Sequence, residues 1–264
     1  MGRATECALA EPADQDYVGG RDLTAWPTRI GRLAARAALQ ASRWAAPHRL
    51  LLFTLTVGVV LVSALTAVAA EVYEAVVEVD GVAELDQPAL DLAVEARSPD
   101  RNAIVTAYTD LGGSVGMPVL ATVTAMALAL AWRQWTPVVL MAATAAGTLT
   151  ITLVGKAVVG RVRPPLTSAV QPYEHSSSFP SGHTVNSVAL AGIVAYLLVR
   201  RLRQSWSRAL TITAAGAFAV GMGLSRVYLG HHWLTDVLCA WALGLAWLAI
   251  VVTAHRLFLT VRRG

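Results

Sequence analysis

The chain has 264 residues, 55% of them hydrophobic and only 14% charged, with a formal net charge of +4. A soluble globular domain is nearer one-quarter charged, so this balance excludes that class and indicates an integral membrane protein. The positive charge gives no support for nucleic-acid binding, because the arginines gather at the ends of apolar runs, where membrane topology explains them.

In chain order, residues 1 to 28 mix Gly, Asp, Glu, Pro and Ala without periodicity and are expected to form a tail. From Leu23 to Arg49, arginines alternate with Trp26, Ile30, Leu33, Leu39 and Trp44, a composition suited to a helix on the inner leaflet. Apolar runs close to the ~20 residues that cross a bilayer lie at roughly 50 to 70, 115 to 132, 136 to 155, 184 to 199, 209 to 228 and 236 to 254. They predict an all-α polytopic membrane protein: a cytoplasmic tail and juxtamembrane segment over 1–49, then a six-helix membrane domain over 50–264. The first run starts too late for a cleaved signal and is expected to be a retained helix. The fourth is short, ~24 Å at ~1.5 Å per residue against a core of ~30 Å, so its amino end should lie below the membrane surface. Between the first two runs, the segment from Glu71 to Gly113 is too long to be structureless, and its apolar residues predict one or two interfacial helices on the outer side.

The charges sort by side. Arg29, Arg32, Arg36, Arg43 and Arg49 precede the first run, Arg133 follows the second, Arg200, Arg201, Arg203 and Arg208 follow the fourth, and Arg256, Arg262 and Arg263 end the chain. The positive-inside rule makes these cytoplasmic together with both termini. The stretch from Glu71 to Asp110 holds ten carboxylates beside Arg97 and Arg101, as expected outside. Cys7 and Cys239 then lie in positions that exclude a mutual disulfide.

Against this pattern stand Lys156, Arg161, Arg163 and Arg226, cations on the outer side. Lys156 is the only lysine in the chain. If the third helix runs through Val162, Lys156 and Arg163 share one of its faces two turns apart, and Pro164 and Pro165 end it. Ser181, Gly182 and His183 open the fourth helix, whose free amides and dipole favour an anion. At the fifth junction, Ser225 and Arg226 precede His232 and, one helical turn later, Asp236. In that spacing the carboxylate can accept the Nδ1 proton and leave Nε2 as a nucleophile, which the adjacent His231 lacks.

Lys156 with Arg163 and Pro164, then Pro180, Ser181, Gly182 and His183, then Ser225, Arg226, His232 and Asp236 together resemble the three-part signature of the type-2 phosphatidic acid phosphatase superfamily, over about 80 residues and in the six-helix layout. The resemblance implies an integral membrane lipid phosphatase acting on phosphatidate, phosphatidylglycerol phosphate or undecaprenyl diphosphate. His232 would attack phosphorus to give a phosphohistidine, Asp236 would orient it, and His183 would protonate the leaving oxygen. Lys156, Arg163, Ser181, Gly182 and Arg226 would hold the phosphoryl oxygens without a metal or other cofactor. The substrate is expected to arrive laterally from the membrane, at an active site on the extracytoplasmic face. A phosphotransferase would use the same residues. A transporter or flippase would carry further ionisable residues within its helices, and the runs keep their charges at the ends.

Overall fold

The structure, a computed structural model, describes residues 17–18, 20–42 and 82–263. The first apolar run, the expected boundary after residue 49 and the start of the outer segment lie outside the described residues. A two-residue antiparallel pairing, Tyr17–Val18 (β1) with Arg21–Asp22 (β2), leads to α1 (Arg29–Ser42). A 3-10 turn over Val82–Leu85 opens α2 (Asp86–Glu95), followed by α3 (Pro99–Asp110), α4 (Gly116–Trp132), α5 (Thr136–Val159), α6 (Gly182–Val199), α7 (Ser205–Tyr228) and α8 (Leu234–Arg263).

Helices α5 to α8 are each long and apolar enough to cross a membrane, and α4 is a shorter apolar helix of 17 residues. In hydrocarbon a helix is the solution that pairs every backbone group within one segment, and these Ala-, Leu- and Val-rich stretches carry almost nothing that competes with it. The second to sixth apolar runs each coincide with one of these helices. One expected continuation fails. The third run does not stay helical through Val162, because Gly160 takes a left-handed conformation (φ 59°) and its amide closes the helix on Lys156 O. Lys156 therefore lies in the last turn of α5, and Arg163 stands on the loop beyond it.

Central to the bundle is α6, packed against α4, α5, α7 and α8. Its Val185, Ala189, Ile193 and Leu197 recur every fourth residue and are fully buried, forming the core stripe. At ~1.5 Å per residue its 18 residues span about 27 Å, a little less than a ~30 Å hydrocarbon core. Between α5 and α8 the backbones approach closely: the indole of Trp247 fills the notch left by Gly147, and its Nε1 donates to Thr144 O at 3.1 Å.

The ends of the bundle differ. At one end lie the arginines of residues 133, 200–208 and 256–263, and there Ala35 and Ala38 of α1 pack on Leu257 and Val261 of α8. Trp26 Nε1 donates to Thr260 Oγ1 at 3.1 Å and Arg256 lies over the Trp26 ring, so part of the expected tail is fastened to α8. At the other end α2 and α3 lie against α7 and α8. Arg97, at their junction, binds Tyr228 O and Ser168 O.

Gly147→Ala should destabilise the protein, because a Cβ there overlaps the Trp247 indole; overpacking of this kind costs about 1–3 kcal/mol. Gly216, also helical but facing open space, is the control. Thermal unfolding in detergent should drop for Gly147→Ala and not for Gly216→Ala.

Candidate active site

Five chain segments meet at the end of the bundle opposite the arginine-rich one. These are the end of α5 with its following loop, the start of α6, the end of α7, the start of α8 and the glycine turn between α3 and α4. The loop of residues 160–181 folds back over the helix ends: Ser178 N donates to Arg161 O at 2.8 Å and Val170 N to Leu229 O at 2.9 Å.

His232 lies in the turn before α8 and is 1% exposed. Arg163 Nη1 is 3.2 Å from its Nε2. A guanidinium only donates, so Nε2 is an acceptor with its lone pair toward Arg163, and the ring proton belongs on Nδ1. On that side Asp236 Oδ2 is 3.7 Å away, too far for a direct hydrogen bond. Ser178 Oγ bridges the gap, 3.5 Å from His232 Nδ1 and donating to Asp236 Oδ2 at 2.5 Å. The direct Nδ1-to-carboxylate bond expected from the one-turn spacing is thus replaced by a shared hydroxyl. Burial, reinforced by Arg163 and Arg226 and opposed by Asp236, pushes the His232 imidazolium down to about 4, so the ring is neutral at physiological pH.

Asp236 is fully buried and paired on both oxygens. Oδ1 accepts from Arg161 Nη1 at 2.6 Å, and Oδ2 also accepts from Trp233 N at 3.0 Å. That last contact is half of a capping box, so the residue that faces His232 also starts α8.

Two arginines converge on a single carboxylate. Glu174 pairs with Arg163 at 2.7 Å through Oε2 and with Arg226 Nη2 through Oε1. Burial alone would raise the Glu174 carboxyl, but Arg226 and Arg163 outweigh it and hold it near 2. Lys156 Nζ donates to Ser176 Oγ at 3.1 Å and to Ser177 O, and Arg163 Nε to Ser176 O at 2.6 Å. The segment of residues 174–177 therefore lies on all three cations, with the chain's own carboxylate between two of them.

The sequence-predicted residues Lys156, Arg163, Arg226, His183, His232 and Asp236 are brought together. Glu174 lies within electrostatic reach of both histidines. Ser181, at the amino end of α6, is fully buried and accepts from Thr184 Oγ1 at 2.9 Å, with Gly182 following it. The His183 ring packs on the Gly112–Gly113 turn, where the lack of side chains gives the ring its seat. His231 turns away, Nε2 pairing with Val170 O at 2.7 Å.

Sequence reasoning missed Ser178, Glu174, Asp86 and Arg161 as members of the site. Arg161 was noted only as an out-of-place cation. Glu174 had a signal, since it is the only carboxylate between Arg163 and His183.

The PAP2 superfamily profile matches residues 134–258, which contain every sequence-predicted site residue. Phosphatidylglycerophosphatase B of Bacillus subtilis is 33% identical over 172 residues, covering 65% of this chain and 83% of that protein. Lipid A 1-phosphatase of Porphyromonas gingivalis is 35% identical over 91 residues, 34% of this chain and 18% of that protein. Among solved structures, the transmembrane PAP2-type phosphatidylglycerolphosphate phosphatase of Bacillus subtilis superimposes with a TM-score of 0.62 at 30% identity, covering 78% of this chain and 93% of the other.

Because Glu174 competes for the two guanidiniums, Glu174→Gln should bind inorganic phosphate about three- to tenfold more tightly, the scale of a charge-assisted hydrogen bond exchanged against water. Calorimetric titration of the detergent-solubilised protein measures it; unchanged or weaker binding would show that the carboxylate does not occupy the anion's place.

Proposed function

The chain belongs to the PAP2 superfamily and is a membrane hydrolase of lipid phosphate esters, and from that premise we propose that it dephosphorylates a phospholipid at the site around His232 through a phosphohistidine intermediate. The observation that carries this reading is the lone pair of His232 Nε2 directed at the Arg163 guanidinium, beside a seat where Arg163 and Arg226 already grip a carboxylate. A phosphoryl group taking the place of Glu174 would lie next to the nucleophilic nitrogen, as near-attack geometry requires.

In this mechanism the phosphoryl oxygens displace Glu174 and bind Lys156, Arg163 and Arg226. Arg226 Nε, a buried donor with no partner among the described residues, supplies a further bond. Ser181 and the amide of Gly182, at the start of α6, complete the cradle. His232 Nε2 attacks phosphorus, its Nδ1 proton held toward Ser178 and Asp236 while the ring gains positive charge. His183 protonates the departing oxygen, then removes a proton from the water that cleaves the phosphorus–nitrogen bond, releasing phosphate and restoring His232. The cations carry the charge that Mg²⁺ neutralises in many phosphoryl transfers, and the mechanism needs no metal.

The site opens at the extracytoplasmic face and both termini are cytoplasmic. Supporting this orientation, the arginines of residues 133, 200–208 and 256–263 lie at the opposite end, and the cations at the site end are matched by Asp86, Glu174 and Asp236. Segments 1–49 and 50–264 form the cytoplasmic part and the membrane domain, the latter with six spans, and α2 and α3 lie at the outer interface. Phosphatidylglycerol phosphate is the first substrate to test, since the Bacillus subtilis relative and the Bacillus subtilis solved structure bear that activity in their names; phosphatidate and undecaprenyl diphosphate are the comparisons.

His232→Ala should lose essentially all phosphate release while remaining folded, and wild-type activity should persist in EDTA. With the three lipids side by side, retained turnover in His232→Ala would remove the nucleophile, and a requirement for added Mg²⁺ would remove the metal-free mechanism. Because the neutral ring is the nucleophile and its imidazolium titrates at about 4, kcat/KM should hold down to about pH 5 and fall below it. An acid limb centred near 6.5 would contradict the assignment.

A further inference from the structure

Asp86, the first residue of α2, lies far from the signature in sequence and is 5% exposed. Its Oδ1 accepts from Thr235 N at 2.8 Å, and its Oδ2 from Thr235 Oγ1 at 2.7 Å and Arg161 Nη2 at 2.7 Å. Arg161 Nη1 extends to Asp236 Oδ1 at 2.6 Å and to Thr235 Oγ1 at 2.8 Å, and the guanidinium lies 5.6 Å from the Trp233 ring. One guanidinium thus joins two carboxylates, one from the helix ahead of the membrane bundle and one beside His232.

We propose that Asp86 and Arg161 are positioning residues of the phosphatase reaction, fixing the Asp236 carboxylate and leaving on it the negative charge that the His232 imidazolium needs. The inference rests on the assignment of His232 as nucleophile. Asp236 is buried beside a ring that is neutral at rest, so its standing counter-charge is Arg161. Were Arg161 paired with Asp236 alone, the two would cancel and His232 would face a neutral pair. Asp86 takes half of the fork, so the trio keeps a net negative charge, and attack on phosphorus places the complementary positive charge on the ring. Fork geometry also matters: a planar guanidinium holds two carboxylates at fixed angles, which a lysine cannot do. Besides the trio, the titratable and charged groups among the described residues that act on His232 include Arg163 from the loop after α5, Arg226 from α7, Glu174 from the folded-back loop and His183 from α6.

The test compares Asp86→Asn and Arg161→Lys with wild type in EDTA, measuring phosphate release from phosphatidylglycerol phosphate, or whichever of the three lipids wild type hydrolyses, from pH 4 to 8. Asp86→Asn removes the charge in the same shape. It should lower kcat about ten- to hundredfold with KM within about twofold, and move the acid limb of kcat/KM down by about half to one unit, because the imidazolium loses its surplus counter-charge. Arg161→Lys keeps the charge and loses the fork, so it should lower kcat with the limb in place. A purely structural role predicts less folded protein and a lower Tm, with wild-type kcat and limb per folded molecule; that result for Asp86→Asn overturns the inference. If Asp86→Asn yields no folded protein, Arg161→Lys decides, and kcat within twofold of wild type overturns it. His232→Ala runs alongside. If it still releases phosphate, the nucleophile assignment itself falls; if it is inert while the other variants match wild type, only the role of Asp86 and Arg161 falls.

Discussion

A carboxylate removed from water stays charged only if every lone pair is met, and Asp236 is the place where this protein meets that demand. Arg161, Ser178 and the amide of Trp233 each bind it. They come from the α5–α6 loop and the turn into α8, and Arg161 brings in α2 through Asp86. Satisfying one buried charge therefore draws together segments that the chain keeps 75 residues apart on either side of Arg161. The same contacts start α8, since the Trp233 amide would otherwise be an orphan of the first turn.

Around that charge the bundle has other buried polar groups to satisfy. The central helix α6 is the shortest of the four long apolar helices, and its amino end carries Ser181, Gly182 and His183. Polar groups shut away from water need partners from protein. The loop of residues 160–181 supplies them, with Ser176 and Ser177 on Lys156 and Arg163, Ser178 on Asp236, and Glu174 between two arginines. A shorter link between α5 and α6 would leave the cations at their helix ends with nothing to satisfy them.

Much of this was legible in the sequence, for reasons that differ by residue. Apolar runs reveal helices because hydrocarbon tolerates little else, and the out-of-place cations Lys156, Arg163 and Arg226 stood out against a clean charge pattern. Less legible was what depends on backbone direction. Gly160 ends α5 by taking a left-handed conformation that a glycine permits without announcing, so the expected shared face of Lys156 and Arg163 did not form. Asp86 and Ser178 are an ordinary acid and an ordinary serine by composition, and only the folded path brings them to Asp236. The one-turn spacing of His232 and Asp236 correctly paired the two but could not reveal the 3.7 Å separation, because the turn before α8 is not helical at His232.

The two anionic elements of the site act in opposite senses. Glu174 lies on the cation side of His232, where a phosphoryl group would bind, and Asp236 on the other side, where positive charge would accumulate. A carboxylate on the cation side must be displaced, so its pairing with Arg163 and Arg226 subtracts from the affinity for any anion that follows. In return it keeps two guanidiniums, one of them 1% exposed, from facing each other uncompensated, and on the proposed reading holds the seat in the shape an oxyanion needs. A carboxylate on the proton side is never displaced, and its partners are arranged to leave its charge only partly neutralised. The neutral His232 ring between them is thus polarised along one axis, with Arg163 at Nε2 and Ser178 leading to Asp236 at Nδ1. In the proposed attack Nε2 gives its lone pair to phosphorus, and the positive charge that develops on the ring lies along that axis, with its Nδ1 side toward Asp236.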